Sequence, residues 1–252
     1  MKVNKFVIIV GLVLFFVVSS CSREIVRSTI NIRESKESRI GIKKEIRALE
    51  NTYSLDFIEI NKAKIENLQL DNINKIIEEK QIDGGLSVFL FTNNEDSQIK
   101  AGISLSDRSY YIGEVSFENA PEDLIGIEEV QVFGGKAVKI YGILGANYAQ
   151  SYYWLMEEKL EESIIQIDGN TVEVDLDDDG NKDIVSTLGT IPKTKIYIYR
   201  EGTIFESDVN ESIGAKSVSL DDEDKRLFEV YFEPNKPEQY IYSNGSLIKG
   251  GI

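Results

Sequence analysis

The chain predicts a mainly β protein, made of blade-like antiparallel units of about 44 residues in a small β-propeller-like body or, alternatively, a β-sandwich. Three observations carry this expectation. Short apolar runs alternate with turn clusters rich in Gly, Asp, Asn and Pro. From about residue 130 the chain overlays on itself at an offset of 44 without gaps. One turn, Asp175 to Asp183, spaces its oxygen side chains as a loop circling a cation would.

The overlay sets Val130 on Val174 and Val218, and Ile140 on Ile184 and Phe228. Leu144 falls on Leu188 and Phe232, Gly145 on Gly189, and Tyr152-Tyr153-Trp154 on Ile196-Tyr197-Ile198 and Tyr240-Ile241-Tyr242. An earlier, shorter copy reads Ile99 to Ile103 and Ser109 to Ile112. Each unit is an apolar strand, a polar turn and an aromatic strand. Such a unit cannot bury both faces alone, so neighbours must stack.

Taken in order, the chain opens with a basic start, Met1 to Lys5, an uncharged apolar run, Phe6 to Val18, and then Ser19-Ser20-Cys21. This reads as a secretory signal peptide over 1–20. Its apolar run is short for a membrane-spanning helix. Val18-Ser19-Ser20-Cys21 resembles the lipobox of bacterial lipoproteins, which implies cleavage before Cys21 and a diacylglyceryl thioether on its sulfur. Cys21 is the sole cysteine, so an exported domain here must rely on its core or on a metal rather than on disulfides.

Segment 22–47 carries eight basic and four acidic side chains, which is +4 in a chain whose net charge is −15. With Lys2 and Lys5 of the leader set aside, residues 48–252 carry −21. The segment 21–47 reads as a lipid-anchored tether suited to an anionic surface, and 48–252 as the β-rich repeat domain. So acidic a body argues against nucleic acid. The partners expected are the membrane, through the N-terminal lipid, and an envelope protein or wall polymer on the extracytoplasmic face.

Within the domain, Phe57 to Ile60 and Leu68 to Leu70 alternate as strands do. Asp71 is placed to cap a short helix over Asn72–Lys80, with Ile73, Ile76 and Ile77 on one face and Gly84-Gly85 as its stop. Leu86 to Phe91 reads as a buried strand.

In the acidic turn, Asp175, Asp177, Asp179 and Asp183 occupy positions 1, 3, 5 and 9, Gly180 position 6 and Asn181 position 7. Calcium takes six to eight oxygens, and a glycine at the sixth place permits the sharp turn that closes such a loop. The Asn181 carbonyl would supply a further oxygen. Position 12 is Ser186 instead of glutamate, and a strand pattern follows, so this is not an EF-hand. A solvated acidic turn is the alternative. The stretch Val174 to Val185, followed by Lys195 to Tyr199 and Gly202 to Phe205, resembles one integrin-type FG-GAP or VCBS blade. The resemblance covers about 35 residues of the 252 and implies that calcium on the loop pins adjacent blades. The other copies depart from it: Ser219, Asp221, Glu223, Asp224 and Leu227 stand in the last, and Gln131, Phe133, Gly135 and Lys139 in the one before. One site, of structural role, is expected.

No histidine occurs, which excludes Ser-His and Cys-His nucleophiles and histidine-bound zinc. No phosphate-cradling glycine loop is present. A carboxylate pair acting on a glycosidic bond is the enzymatic alternative, and a structural factor of the envelope or spore is another. The expectation is a non-enzymatic binding module. Tyr153 and Trp154 are expected in the core rather than on an outer face.

Overall fold

A computed structural model describes residues 51–250, apart from 83–84, 95, 107, 157–159 and 161–162. The segments expected as signal peptide and tether, with Cys21, lie outside the described residues. The rest is mainly β. Three short strands come first: β1 (Thr52–Ser54), β2 (Ile58–Glu59) and β3 (Glu66–Asn67). Four antiparallel meanders follow. The first sheet has β4 (Ile73–Ile82), β5 (Leu86–Asn93), β6 (Gln98–Leu105) and β7 (Arg108–Phe117); the second has β8 (Gly126–Val132), β9 (Gly135–Gly145), β10 (Tyr148–Leu155) and β11 (Ile164–Asp168). The third has β12 (Asn170–Val174), β13 (Asp183–Leu188), β14 (Lys193–Arg200) and β15 (Thr203–Asp208). A five-residue helix, α1 (Val209–Ile213), leads to the fourth: β16 (Ser217–Asp222), β17 (Leu227–Glu233), β18 (Lys236–Ser243) and β19 (Ser246–Lys249). None of these sheets closes on itself.

Three buried clusters join consecutive sheets. Val88, Ile103, Val138, Tyr152 and Trp154 fill the space between the first and second. Val132, Tyr153, Ile167, Ile184 and Tyr197 lie between the second and third. Leu176, Val185, Ile196, Phe228 and Tyr242 lie between the third and fourth. The chain enters the third sheet directly from the second through Gly169, whose φ of +104° turns the corner. A Cβ there would stand 2.8 Å from the Thr187 carbonyl, so only glycine fits.

The N-terminal strands form a strap across the last strands of the four sheets, in reverse order. β1 pairs with β19, β2 with β15, the Ala63 amide donates to the Ile164 carbonyl of β11, and β3 pairs with β7. Its apolar side chains fall into the same three cores: Tyr53, Leu55 and Phe57 between the third and fourth sheets, Ile60 between the second and third, Ala63 and Ile65 between the first and second. Covering an edge strand removes a row of open amides and carbonyls that would otherwise template aggregation. The strand at Phe57 to Ile60 was legible; Leu68 to Leu70, expected as a strand, is instead irregular chain leading into a 3-10 turn over Leu70–Asn72, and that residues 52–67 serve all four sheets was not legible.

Three further expectations are corrected. Residues 72–80 are not a helix: Ile73–Ile82 is β4, laddered to β5. Register shifts between Ile73 and Lys75 and between Ile76 and Glu78 insert extra residues, so apolar side chains recur at helix-like intervals along a bulged strand. The domain's described α-helix is α1 instead, capped by Asp208, whose side chain accepts from the Glu211 amide. The short early copy is out of phase by one strand. Ile99–Ile103 and Ser109–Ile112 lie in β6 and β7, the third and fourth strands of their sheet, whereas Ile140 and Tyr152 lie in the second and third strands of theirs.

The third correction concerns faces. Ile140 pairs with Tyr152 and Phe228 with Tyr240, but Ile184 pairs with Tyr197 rather than Ile196. This one-residue slip turns β14 over. Tyr152 and Tyr240 therefore point toward the preceding sheet, while Ile196 points toward the following one. Tyr153 and Trp154 are both buried, as expected, on opposite faces of β10.

Candidate metal centre

The loop joining β12 to β13 starts from the rung pairing Val174 with Asp183 and projects the eight residues between them. Leu176 turns inward and is fully buried in the core beneath, which anchors the second loop position. The alternate positions consequently face the other way. Asp175, Asp177 and Asp179 bring one carboxylate oxygen each to within 4.8 Å of one another. Asp178, at φ +63°, turns its side chain out, and Gly180 at φ +86° makes the reversal expected of the sixth position.

Backbone amides hold these carboxylates. The Gly180 amide donates to Asp175 Oδ2 at 3.0 Å, Asp179 N–H to Asp177 Oδ1 at 3.3 Å, and Asn181 N–H to Asp179 Oδ1 at 2.7 Å. Asp175 Oδ1 is buried with no hydrogen-bond partner. An unpaired buried carboxylate oxygen is costly, and a cation at the centre of the three carboxylates is the ligand that would satisfy it. Asp183 sits buried at the start of β13, outside that trio. Burial, and then the charges of Asp177, Asp179 and Asp175, push its carboxyl up to about 7, against the Leu176 amide that lowers it. Burial followed by the Asp179 charge likewise raises Asp177. Like charges gathered without a counter-ion shift in this direction. Hard oxygen donors at this spacing fit calcium or another hard divalent cation.

Asn181 donates from its side chain to Asp179 Oδ2, and its own Oδ1 lies beside Gly134 in the β8–β9 turn. That turn also reaches the loop through its backbone, since the Phe133 amide donates to the Lys182 carbonyl at 2.7 Å. From the other side Arg226, in the β16–β17 turn, donates to Asp178 Oδ2 at 2.5 Å and to the Leu176 carbonyl at 3.4 Å. The acidic loop is thus gripped by the turns of both neighbouring sheets. Sequence reasoning passed over these contacts. One signal was available: Arg226 falls on Lys182 in the 44-residue overlay.

The repeat-equivalents hold no such cluster. Val132 to Gly135 is a tight two-residue turn through Phe133 and Gly134, and the β16–β17 turn contains an internal Lys225–Asp222 ion pair. Asn210, in α1, is buried and bonds the Thr194 amide and the Pro192 carbonyl, which docks the helix on the third sheet. Comparison with protein-family models, with curated proteins and with solved structures finds no match.

Proposed function

We propose that this chain is an extracytoplasmic lipoprotein, held to the membrane by a lipid on Cys21, whose β domain is a calcium-stapled, non-enzymatic binding module of the cell envelope. The carrying observation is the convergence of Asp175, Asp177 and Asp179 around an unpaired buried oxygen, in a loop held between the turns of two neighbouring sheets. Asp183 and the Asn181 carbonyl complete the ligand set on this reading. Bound there, calcium would neutralise the loop and fix the second, third and fourth sheets to one another. The four consecutive meanders are read as propeller-like blades of the FG-GAP or VCBS type.

Thermal unfolding in calcium, in magnesium and in chelator tests the metal. A calcium-selective rise in the midpoint is expected, worth about 2.7 kcal/mol at a hundredfold excess over the dissociation constant. Equal midpoints in all three would overturn the assignment. The address is tested by radiolabelled fatty acid, which should enter the intact chain and not Cys21→Ala. The binding role predicts an envelope component retained by the calcium-loaded domain and released by chelator; glycan cleavage lost in a single Asp or Glu variant would replace it with hydrolysis.

A further inference from the structure

Away from the acidic loop, the space between the second and third sheets departs from the apolar packing around it. A cavity of about 310 Å³ opens there against Lys139 and Tyr141 of β9, Ser151 of β10 and Thr171 of β12, with Asp123 and Glu128 at its wall. Lys139 is only 8% exposed. Its Nζ donates to Glu173 Oε1 at 2.8 Å and to the Thr171 carbonyl at 3.4 Å. Behind it, the fully buried Tyr153 donates to the same Glu173 oxygen, and Thr171 links Tyr153 to Ser151 through hydroxyl contacts of 2.8 and 3.2 Å.

Elsewhere in this layer the residues are Val132, Ala137, Ile165, Ile167 and Ile184. A buried ion pair gives a fold little or no net stability over an apolar replacement. Polar groups that are pre-positioned by partners behind them, and that end at an open cavity, are how a fold builds a binding site. Glu173 and the Thr171 carbonyl hold the Lys139 ammonium, which also lies over the Tyr141 and Tyr153 rings at 5.6 and 5.7 Å, and Lys139 lines the cavity.

We infer that this cavity binds a neutral saccharide unit. The donor and acceptor pattern selects the class. Lys139 offers an ammonium at the cavity, which would repel a simple cation. Asp123 and Glu128 are exposed carboxylates that can accept from a ligand and would repel a simple anion; one Glu128 oxygen also accepts from Tyr141 at 3.0 Å. A vicinal diol donates and accepts at neighbouring atoms. Leu124, Ile143 and Ala149 add apolar surface suited to the C–H face of a sugar ring, and Asn170 a further polar side chain. This goes beyond the calcium assignment, since none of the loop carboxylates lines the cavity.

Chemical-shift titration of the calcium-loaded full chain would use neutral methyl hexosides and methyl N-acetylhexosaminides, a hexuronate as anion and an alkylamine as cation. Saturable shifts at Lys139, Ser151 and Thr171 are expected with one or more neutral glycosides and with neither ion. The double variant Lys139→Met with Glu173→Gln removes the donor without leaving Glu173 buried and unpaired, and should weaken binding about tenfold or more, as loss of a bond to a charged donor does. Lys195→Met, which opens the Lys195–Glu206 pair outside this cavity, should leave the affinity unchanged. Absence of saturable shifts with every neutral glycoside, preference for the hexuronate or the amine, or undiminished binding by the folded double variant would each overturn the inference. If the double variant has lost its native melting transition, Ser151→Ala decides by the same criterion, at a smaller loss.

Discussion

The β12–β13 loop and the β8–β9 turn occupy the same place in successive sheets, between a first and a second strand, and solve the same problem by different chemistry. Phe133 and Gly134 close the hairpin in two residues with left-handed backbone at both, φ +57° and +78°, and nothing in that turn calls for a ligand. The β12–β13 loop spends eight residues, buries Leu176 as a peg, and gathers carboxylates that repel one another. One turn is complete by local geometry. The other is left electrostatically incomplete by the chain and reaches both neighbouring sheets.

The largest test of this contrast is the peg. Leu176→Ala should destabilise the domain by roughly 3 kcal/mol, the range for a buried leucine truncated in a packed core, and equally with calcium or chelator. A loss confined to the calcium condition would show that Leu176 serves the metal rather than the core. Next come the ligands. Asp177→Ala and Asp183→Ala should each abolish the calcium-dependent gain, about 2.7 kcal/mol at a hundredfold excess, and Asp177→Ala should have little effect in chelator. Equal destabilisation in both conditions would reduce the loop to an ordinary acidic turn.

The acidity of Asp183 gives a pH signature. Its carboxyl stands at about 7 in the metal-free fold, against 3.8 ordinarily. The folded chain therefore keeps a proton that the unfolded chain releases, and metal-free stability should fall as pH rises through this window. Calcium requires the ionised carboxylate, so its stabilising increment should grow over the same window. Melting curves in chelator and in calcium at successive pH values would read both slopes, and a calcium increment flat with pH would remove Asp183 from the ligand set. Smaller still is Gly134→Ala, expected to cost about 1 kcal/mol through its left-handed backbone, with its Cβ only 3.2 Å from Asn181 Oδ1. Smallest is Arg226→Met. The Asp178 it pairs with is three-quarters exposed, so the loss should stay below about 1 kcal/mol and shrink in high salt.

By itself the sequence determined the class of fold, through alternating apolar strands and turn residues, and the Asp175, Asp177 and Asp179 cluster, because alternate side chains of one loop stand at a fixed spacing in consecutive positions. It also placed Tyr153 and Trp154 in the core. Register, pairing across distance and exposed backbone were decided only in three dimensions. Two bulges made β4 read as a helix. A one-residue slip turned β14 over beneath an ungapped repeat. The strap of residues 52–67 belongs to no local unit, since its edge partners lie as far along the chain as Ile248, opposite Thr52. Lys139 and Glu173, 34 residues apart, meet only because Gly169 carries the chain from one sheet directly into the next. Spacing within a few residues can announce chemistry; contacts across sheets depend on which strands stack, and no local pattern records that.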